Sequence, residues 1–181
     1  STDVPTTPAP TPPPTGPIVA PASLEIASSR GVRVRLPDEG SWRRLDGTQV
    51  PAGATLRASS RGGVVALASS AIYLGPDARL TVEEDGKTLA VTSGPMFVEG
   101  DDNVVLGHAL GRVRVNGQAL IASRRGALAM ASFAGTLSFE PATGVRGVPN
   151  TVTIYPGEQT LATTREVGEA RPMSGDDVAR I

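Results

Sequence analysis

A chain of 181 residues with 39% hydrophobic and only 3% aromatic content has room for one ordinary domain plus tails, and Val, Ala and Leu must fill its core. With 21 Gly and 16 Pro, long helices are excluded, because inside a helix Gly costs about 1 kcal/mol and Pro about 3 relative to Ala. A net charge of -1 with interspersed signs argues against nucleic acid as a partner, and the absence of cysteine removes disulfides, thiol nucleophiles, iron–sulfur clusters and cysteine zinc sites.

Residues 1–23, STDVPTTPAPTPPPTGPIVAPAS, form a proline-rich linker. Proline fixes φ and withholds N–H donors, and few apolar groups exist to bury, so the segment is expected to be a disordered, polyproline-like tether. At roughly 3.1 Å per residue it reaches on the order of 60 Å, a span suited to lifting a domain off a membrane. No apolar run approaches the roughly 20 residues of a membrane span, and no charged-then-apolar signal segment opens the chain. Ser1 stands where a Met start would be, so the expectation is a processed chain whose missing N-terminal anchor or signal peptide once placed it near a membrane.

From residue 24 to residue 163 short period-two runs alternate with Gly, Asp, Asn and Ser, the signature of an all-β domain. In GVRVRL, Val32, Val34 and Leu36 take one side and Arg33 and Arg35 the other. Leu80 and Val82 likewise oppose Arg79, Thr81 and Glu83, and Val113 and Val115 oppose Arg112 and Arg114. Glycines at 86, 94, 100, 107, 111, 117, 126 and 135 interrupt these runs, so strands of about four to six residues are expected, with sharp bends between them. This cadence fits a single-stranded right-handed β-solenoid or a β-sandwich. The segments GGVVALASSAIYLG and RRGALAMASFAG favour the winding form, since small side chains suit an interior too thin for Phe or Trp. Residues 164–181 read as a polar C-terminal tail, in which Ser174 and Asp177 have the spacing of a capping box.

Four segments taken in order carry a family likeness: DGTQVPAGATLRASSRGGVVAL, AIYLGPDARLTV, GKTLAVTSGPMFVEG and VTIYPGEQTL. Together, over roughly Gly31 to Leu161, they resemble the FecR-like domain, with its leading G-x-x-V-x-x-G-x-x-L, its L-x-P-x-A-x-L strand and its closing P-G-E. The resemblance implies a right-handed β-solenoid and a periplasmic or cell-envelope setting. Full-length relatives in iron-signalling systems join this domain to a cytoplasmic anti-sigma helix bundle, a membrane span and a C-terminal contact module. Stand-alone relatives resemble scaffold or ligand-binding modules.

No catalytic motif stands out: the G-x-S-x-G elbow, Walker loop, HExxH and dinucleotide fingerprint are all missing. His108 is the sole histidine and reads as a turn residue between Gly107 and Leu110. Glu83, Glu84 and Asp85, and Asp101 and Asp102, pair carboxylates as a glycosidase does, but at predicted turns where acids bond their own backbone. Asp101, Asp102 and Asn103 lack the spaced ligands of a calcium loop, so no metal and no cofactor is expected.

Strands stacked in parallel in a winding fold would bring Arg33, Arg35, Arg112, Arg114, Arg124 and Arg125 into a surface for a carboxylate-rich or anionic-glycan partner. Trp42 is either an exposed anchor of that surface or a cap on one open end of the core. The leading functional expectation is a non-enzymatic envelope module that binds a protein partner or serves as a scaffold within a signalling or multiprotein assembly. An alternative is a self-assembling solenoid that polymerises end to end as bactofilins do. Glycan binding ranks third, because aromatic platforms for sugars are not evident in the sequence.

Overall fold

Alternation of apolar and polar side chains does produce strands throughout the middle of the chain. The computed structural model describes residues 22–142, 151–174 and 176, apart from the side chains of Asp102 and Asn103. The proline-rich tether up to residue 21 and Asp177 of the expected capping box therefore lie outside the described residues. Within them the chain is all-β, with strands Ser23–Glu25 (β1), Ser28–Arg30 (β2), Val32–Arg35 (β3), Arg43–Arg44 (β4), Gln49–Pro51 (β5), Thr55–Ala58 (β6), Gly63–Ala66 (β7) and Ala71–Leu74 (β8). They continue as Arg79–Val82 (β9), Leu89–His108 (β10), Gly111–Arg124 (β11), Ala127–Pro141 (β12), Val152–Ile154 (β13), Glu158–Ala162 (β14) and Arg171–Pro172 (β15).

Neighbouring strands follow the order β4-β3-β6-β9-β10-β11-β12-β14-β15, a second run β2-β7-β8 joins β10, β13 joins β12, and β1 pairs with β5 apart from the rest. Every ladder among the described residues is antiparallel. Side chains therefore line up by cross-strand register and not by the parallel stacking expected of successive solenoid coils.

The strands β10, β11 and β12 are 20, 14 and 15 residues long, against the short strands expected from the glycine spacing. The reason is that these glycines bend strands that continue through them. One edge of β10 pairs first with β9 at Leu89–Ser93 and then with β8 at Met96–Glu99. The changeover falls at Gly94, whose φ is +87° and whose added Cβ would lie 2.8 Å from Ala78. Across it the buried set moves from Leu89 and Val91 to Met96 and Val98, an inversion of the period-two phase, so the strand presents its other side to the core as it passes from one run to the next.

A second bend crosses three strands at once, where Gly100 pairs with Gly117 and Gly117 with Gly135. In β12 the buried phase again inverts, from Leu128 and Met130 to Leu137 and Phe139. The extra residue that allows this is Phe133, skipped by a bulge in which Gln118 pairs with Ala134 and Ala119 with Ser132.

The two runs share one apolar core. Val32, Val34, Leu56 and Leu80 enter it from β3, β6 and β9, and Val65, Ile72, Met96 and Val98 from β7, β8 and β10. Full burial of such side chains stabilises the fold by roughly 1.5–3 kcal/mol each. Contrary to the expectation of an interior too thin for Phe, Phe139 is completely buried and is the largest such side chain. The core also extends past residue 163, because Val167 is buried and Gly168 N–H and Met173 N–H donate to Leu161 and Gly157 carbonyls, both at ordinary distances of 2.9 and 2.8 Å. Among the described residues no helix is long and apolar enough to cross a membrane.

Candidate partner-binding surface

Each of β3, β6 and β9 carries an arginine at the phase that points away from the core, between buried neighbours such as Val32 and Val34, Leu56 and Ala58, or Ala78 and Leu80. Register then decides what these side chains meet. Arg33 pairs with Arg44 on one side and Arg57 on the other, and Arg57 pairs with Arg79. Four guanidinium groups thus stand in one row across β4-β3-β6-β9, with neighbours at the roughly 4.5–5.5 Å Cβ spacing of directly opposed residues. Like charges so placed are destabilising, and the row persists on the strength of the core beneath it.

Neutralisation is partial. Arg57 donates to Asp77 Oδ1 from Nε at 3.2 Å and from Nη2 at 2.5 Å. Asp77 reaches it from a tight turn in the Leu74-Gly75-Pro76-Asp77-Ala78 segment, where its φ is +57°, a left-handed conformation that Asp tolerates better than most residues. Arg44 meets Asp46 at 3.6 Å with both side chains largely exposed, a pairing worth little. Arg33 and Arg79 have no ion pair among the described residues. Trp42 is half-buried beside the row, with the Arg35 guanidinium 5.1 Å and that of Arg57 6.0 Å from its ring. Arg33, Trp42, Arg57 and Asp77 line a shallow hollow of about 290 Å³. Trp42 therefore stands with the arginines of this surface.

The six arginines expected to form one patch are divided among three places. Arg33 and Arg35 join Trp42, together with Arg44, Arg57 and Arg79, which the sequence reading did not select. Arg112 and Arg114 line a separate hollow with Asp85, Lys87 and Glu140, where Arg112 lies 3.9 Å from Glu83 and opposite Glu140. Arg124 and Arg125 form the tip of the β11–β12 hairpin, where Arg125 (φ 51°) and Gly126 (φ 76°) supply the two left-handed residues of a type I′ turn. The physical reason for the division is that neighbours in this sheet are set by antiparallel register.

The acidic residues serve turns and cross-strand contacts. Asp85 accepts from Thr88 Oγ1 at 2.6 Å and from the backbone N–H groups of Thr88 and Lys87, and these bonds lower its pKa to about 2. Asp101 Oδ1 accepts from Ser69 Oγ at 2.8 Å, and its neighbours in the Asp101-Asp102-Asn103 segment lie outside the described side chains. Among the described residues no three potential ligands converge on a metal position.

His108 has a partner that sequence reasoning missed. The Leu110 backbone N–H donates to its Nδ1 at 3.2 Å, which leaves the proton of the neutral ring on Nε2, 3.0 Å from Ser123 Oγ. The imidazole thus donates to the serine, whereas activating a serine nucleophile needs the imidazole to accept. Burial lowers the His108 pKa below its ordinary 6.5. Between those two values the unfolded chain binds a proton that the folded chain does not, so stability rises with pH through that window and is lost as pH falls through it. Thermal unfolding at about pH 7.5 and about pH 5.5 is expected to show a larger loss at the lower pH in the native chain than in His108→Gln.

No protein-family model matches the chain, and no curated protein matches it. Among solved structures, the chain is similar to a protein provisionally assigned as an anti-sigma factor from Parabacteroides distasonis, with a TM-score of 0.54 at 11% identity over 69% of this chain and 62% of that one. A second structure with the same description and organism aligns with a TM-score of 0.48 at 11% identity, covering 89% of this chain and 63% of that one. The chain thus spans less than two thirds of the length of either, and at this identity the first likeness is one of fold alone.

Proposed function

We propose that this chain is a FecR-like, extracytoplasmic module that works without catalysis, holding an acidic segment of a protein partner on its arginine–tryptophan surface within a signalling or multiprotein envelope assembly. The observation that carries this reading is the row Arg44-Arg33-Arg57-Arg79 beside Trp42, with two of its four charges lacking an ion pair among the described residues. Guanidinium groups bind carboxylates in bidentate geometry, and an aromatic side chain at the same place supplies apolar contact. The ordered FecR-like segments support the family reading, the fold likeness is in keeping with a signalling role, and the proline-rich N-terminus supports the extracytoplasmic setting. In the finer architecture we favour, the two strand runs pack on their shared core in the manner of a β-sandwich, with the long strands passing from one run to the other at their glycine bends.

Trp42 is the only tryptophan, so its fluorescence reports on this surface alone. Titration with poly-glutamate at low salt is expected to change that emission, with the effect fading as salt screens the pairing over a Debye length of about 8–10 Å. Arg33→Ala combined with Arg79→Ala is expected to weaken the response roughly tenfold or more while leaving the melting temperature unchanged or slightly higher, since opposed like charges are removed. An emission unmoved by poly-glutamate, or moved equally in the double variant, would overturn the assignment.

A further inference from the structure

A second surface lies on the run that contains β8, β10, β11, β12 and β14, and its residues play no part in the arginine row. Outward positions on this run are apolar where water would ordinarily be met. Tyr73 pairs with Phe97 and Phe97 with Leu120 across three adjacent strands, and the bulge on β12 sets Phe133 against Phe97. One row along, Pro95 pairs with Ala122, Ala122 with Ala129, and Ala129 with Leu161. Tyr73, Phe133 and Leu161 are 42%, 39% and 51% exposed, and the second row borders a largely apolar groove of about 710 Å³. Contiguous apolar patches of this kind on a folded chain mark interaction sites.

The ends of the patch are charged, with opposite signs. Arg124 and Arg125 stand at the hairpin tip, and neither has an ion pair among the described residues. At the other end are Glu99, which accepts from Tyr73 Oη and Gln118 Nε2, and Asp101, which accepts from Ser69 and Ser70; all these donors are neutral, and neither carboxylate has an ion pair among the described residues. Gln118 is the β11 partner of Glu99 and lies six positions from Arg124 on the same strand, which places the two ends roughly 20 Å apart.

We propose that two copies of this chain associate face to face through this patch. A two-fold axis lying across the strands lays apolar middle on apolar middle and brings Arg124 and Arg125 of each copy over Glu99 and Asp101 of the other. The patch is complementary to itself in this arrangement, which is what an isologous contact requires, and such a contact closes at two copies without extending end to end. The rings support interdigitation over a flat sugar platform: Tyr73 and Phe97 are tilted by 51° and Phe97 and Phe133 by 53°, with centroids 6.2 and 6.0 Å apart.

Sedimentation velocity of the full chain over a range of concentrations is the test, read as the mass of the particle. A reversible dimer is expected, and Phe97→Glu is expected to hold the chain monomeric. Two exposed charge reversals make the test specific. Arg124→Glu with Arg125→Glu leaves both ends acidic, and Glu99→Arg with Asp101→Arg leaves both ends basic; each is expected to dimerise roughly tenfold or more weakly alone, and an equimolar mixture is expected to recover the dimer as a heterodimer. Arg33→Ala with Arg79→Ala is expected to leave dimerisation unchanged, so this proposal and the acidic-partner reading fail separately. A native chain that stays monomeric at the highest concentrations, a mass that grows without limit, or a mixture that does not recover the dimer would each overturn it.

Discussion

Gly135→Ala is expected to destabilise this fold by about 3 kcal/mol or more, far beyond what the loss of glycine at an ordinary turn would do. Two effects add at this position. Its φ of +70° places any side chain in the left-handed region, and an added Cβ would stand 1.9 Å from the Asn116 carbonyl oxygen, a backbone atom tied into the β11–β12 ladder. Gly117, its cross-strand partner, is in the same position from the other side, with a φ of +118° and 2.1 Å between an added Cβ and the Ala134 oxygen. Neither strand can yield without opening the bend on which both turn. Gly126→Ala is the control: its φ of +76° carries the same conformational penalty, about 1–2 kcal/mol, but nothing lies within 4 Å of an added Cβ. Gly100→Ala is expected to be milder than either bend partner, because its nearest obstacle is the Val104 side chain at 2.9 Å, which can move. Urea unfolding of these three variants, with Gly117→Ala as a fourth, ranks them, and a Gly135→Ala chain no less stable than Gly126→Ala would show that the bend does not depend on this close approach.

That comparison also shows how far the sequence could be read. Period-two alternation is a local property, and it correctly separates Val32 and Val34 from Arg33 and Arg35, Leu80 and Val82 from Arg79, and Val113 and Val115 from Arg112 and Arg114. Whether a glycine ends a strand or bends it is not local, because it depends on what the neighbouring strand does at the same height. Gly100, Gly117 and Gly135 are far apart in the chain and act as one line only once paired, so the long strands were invisible to a reading of spacing. The same limit governs the arginines. Each of Arg33, Arg57 and Arg79 could be set on an outward face from its own strand, yet their meeting is a matter of register, which is fixed by antiparallel partners more than 20 residues apart along the chain. Ser123 beside His108 was hidden for the same reason: nothing in VLGHALG points to a residue at the far end of the following strand.

Phe139→Ala and Phe133→Ala, two truncations of the same side chain six residues apart on one strand, are expected to differ sharply. Phe139 is fully buried in the shared core, and its loss removes apolar burial and leaves a cavity that β-strands on both sides are poorly placed to fill, with an expected cost of about 3–5 kcal/mol. Phe133 is the bulged residue, 39% exposed, and its ring touches chiefly Phe97, so truncation is expected to cost about 1 kcal/mol or less in the monomer. The period-two phase alone would have put both odd-numbered residues on one side. The single extra residue at position 133 separates them, leaving the residue on one side of the bulge to the solvent face and sending Leu137 and Phe139 to the interior. Thermal unfolding read at a concentration where the chain is monomeric distinguishes the pair, with roughly 10 °C or more expected between them. Equal losses would mean that the bulge does not invert the strand, and the assignment of Phe133 to the outward apolar patch would fall with it.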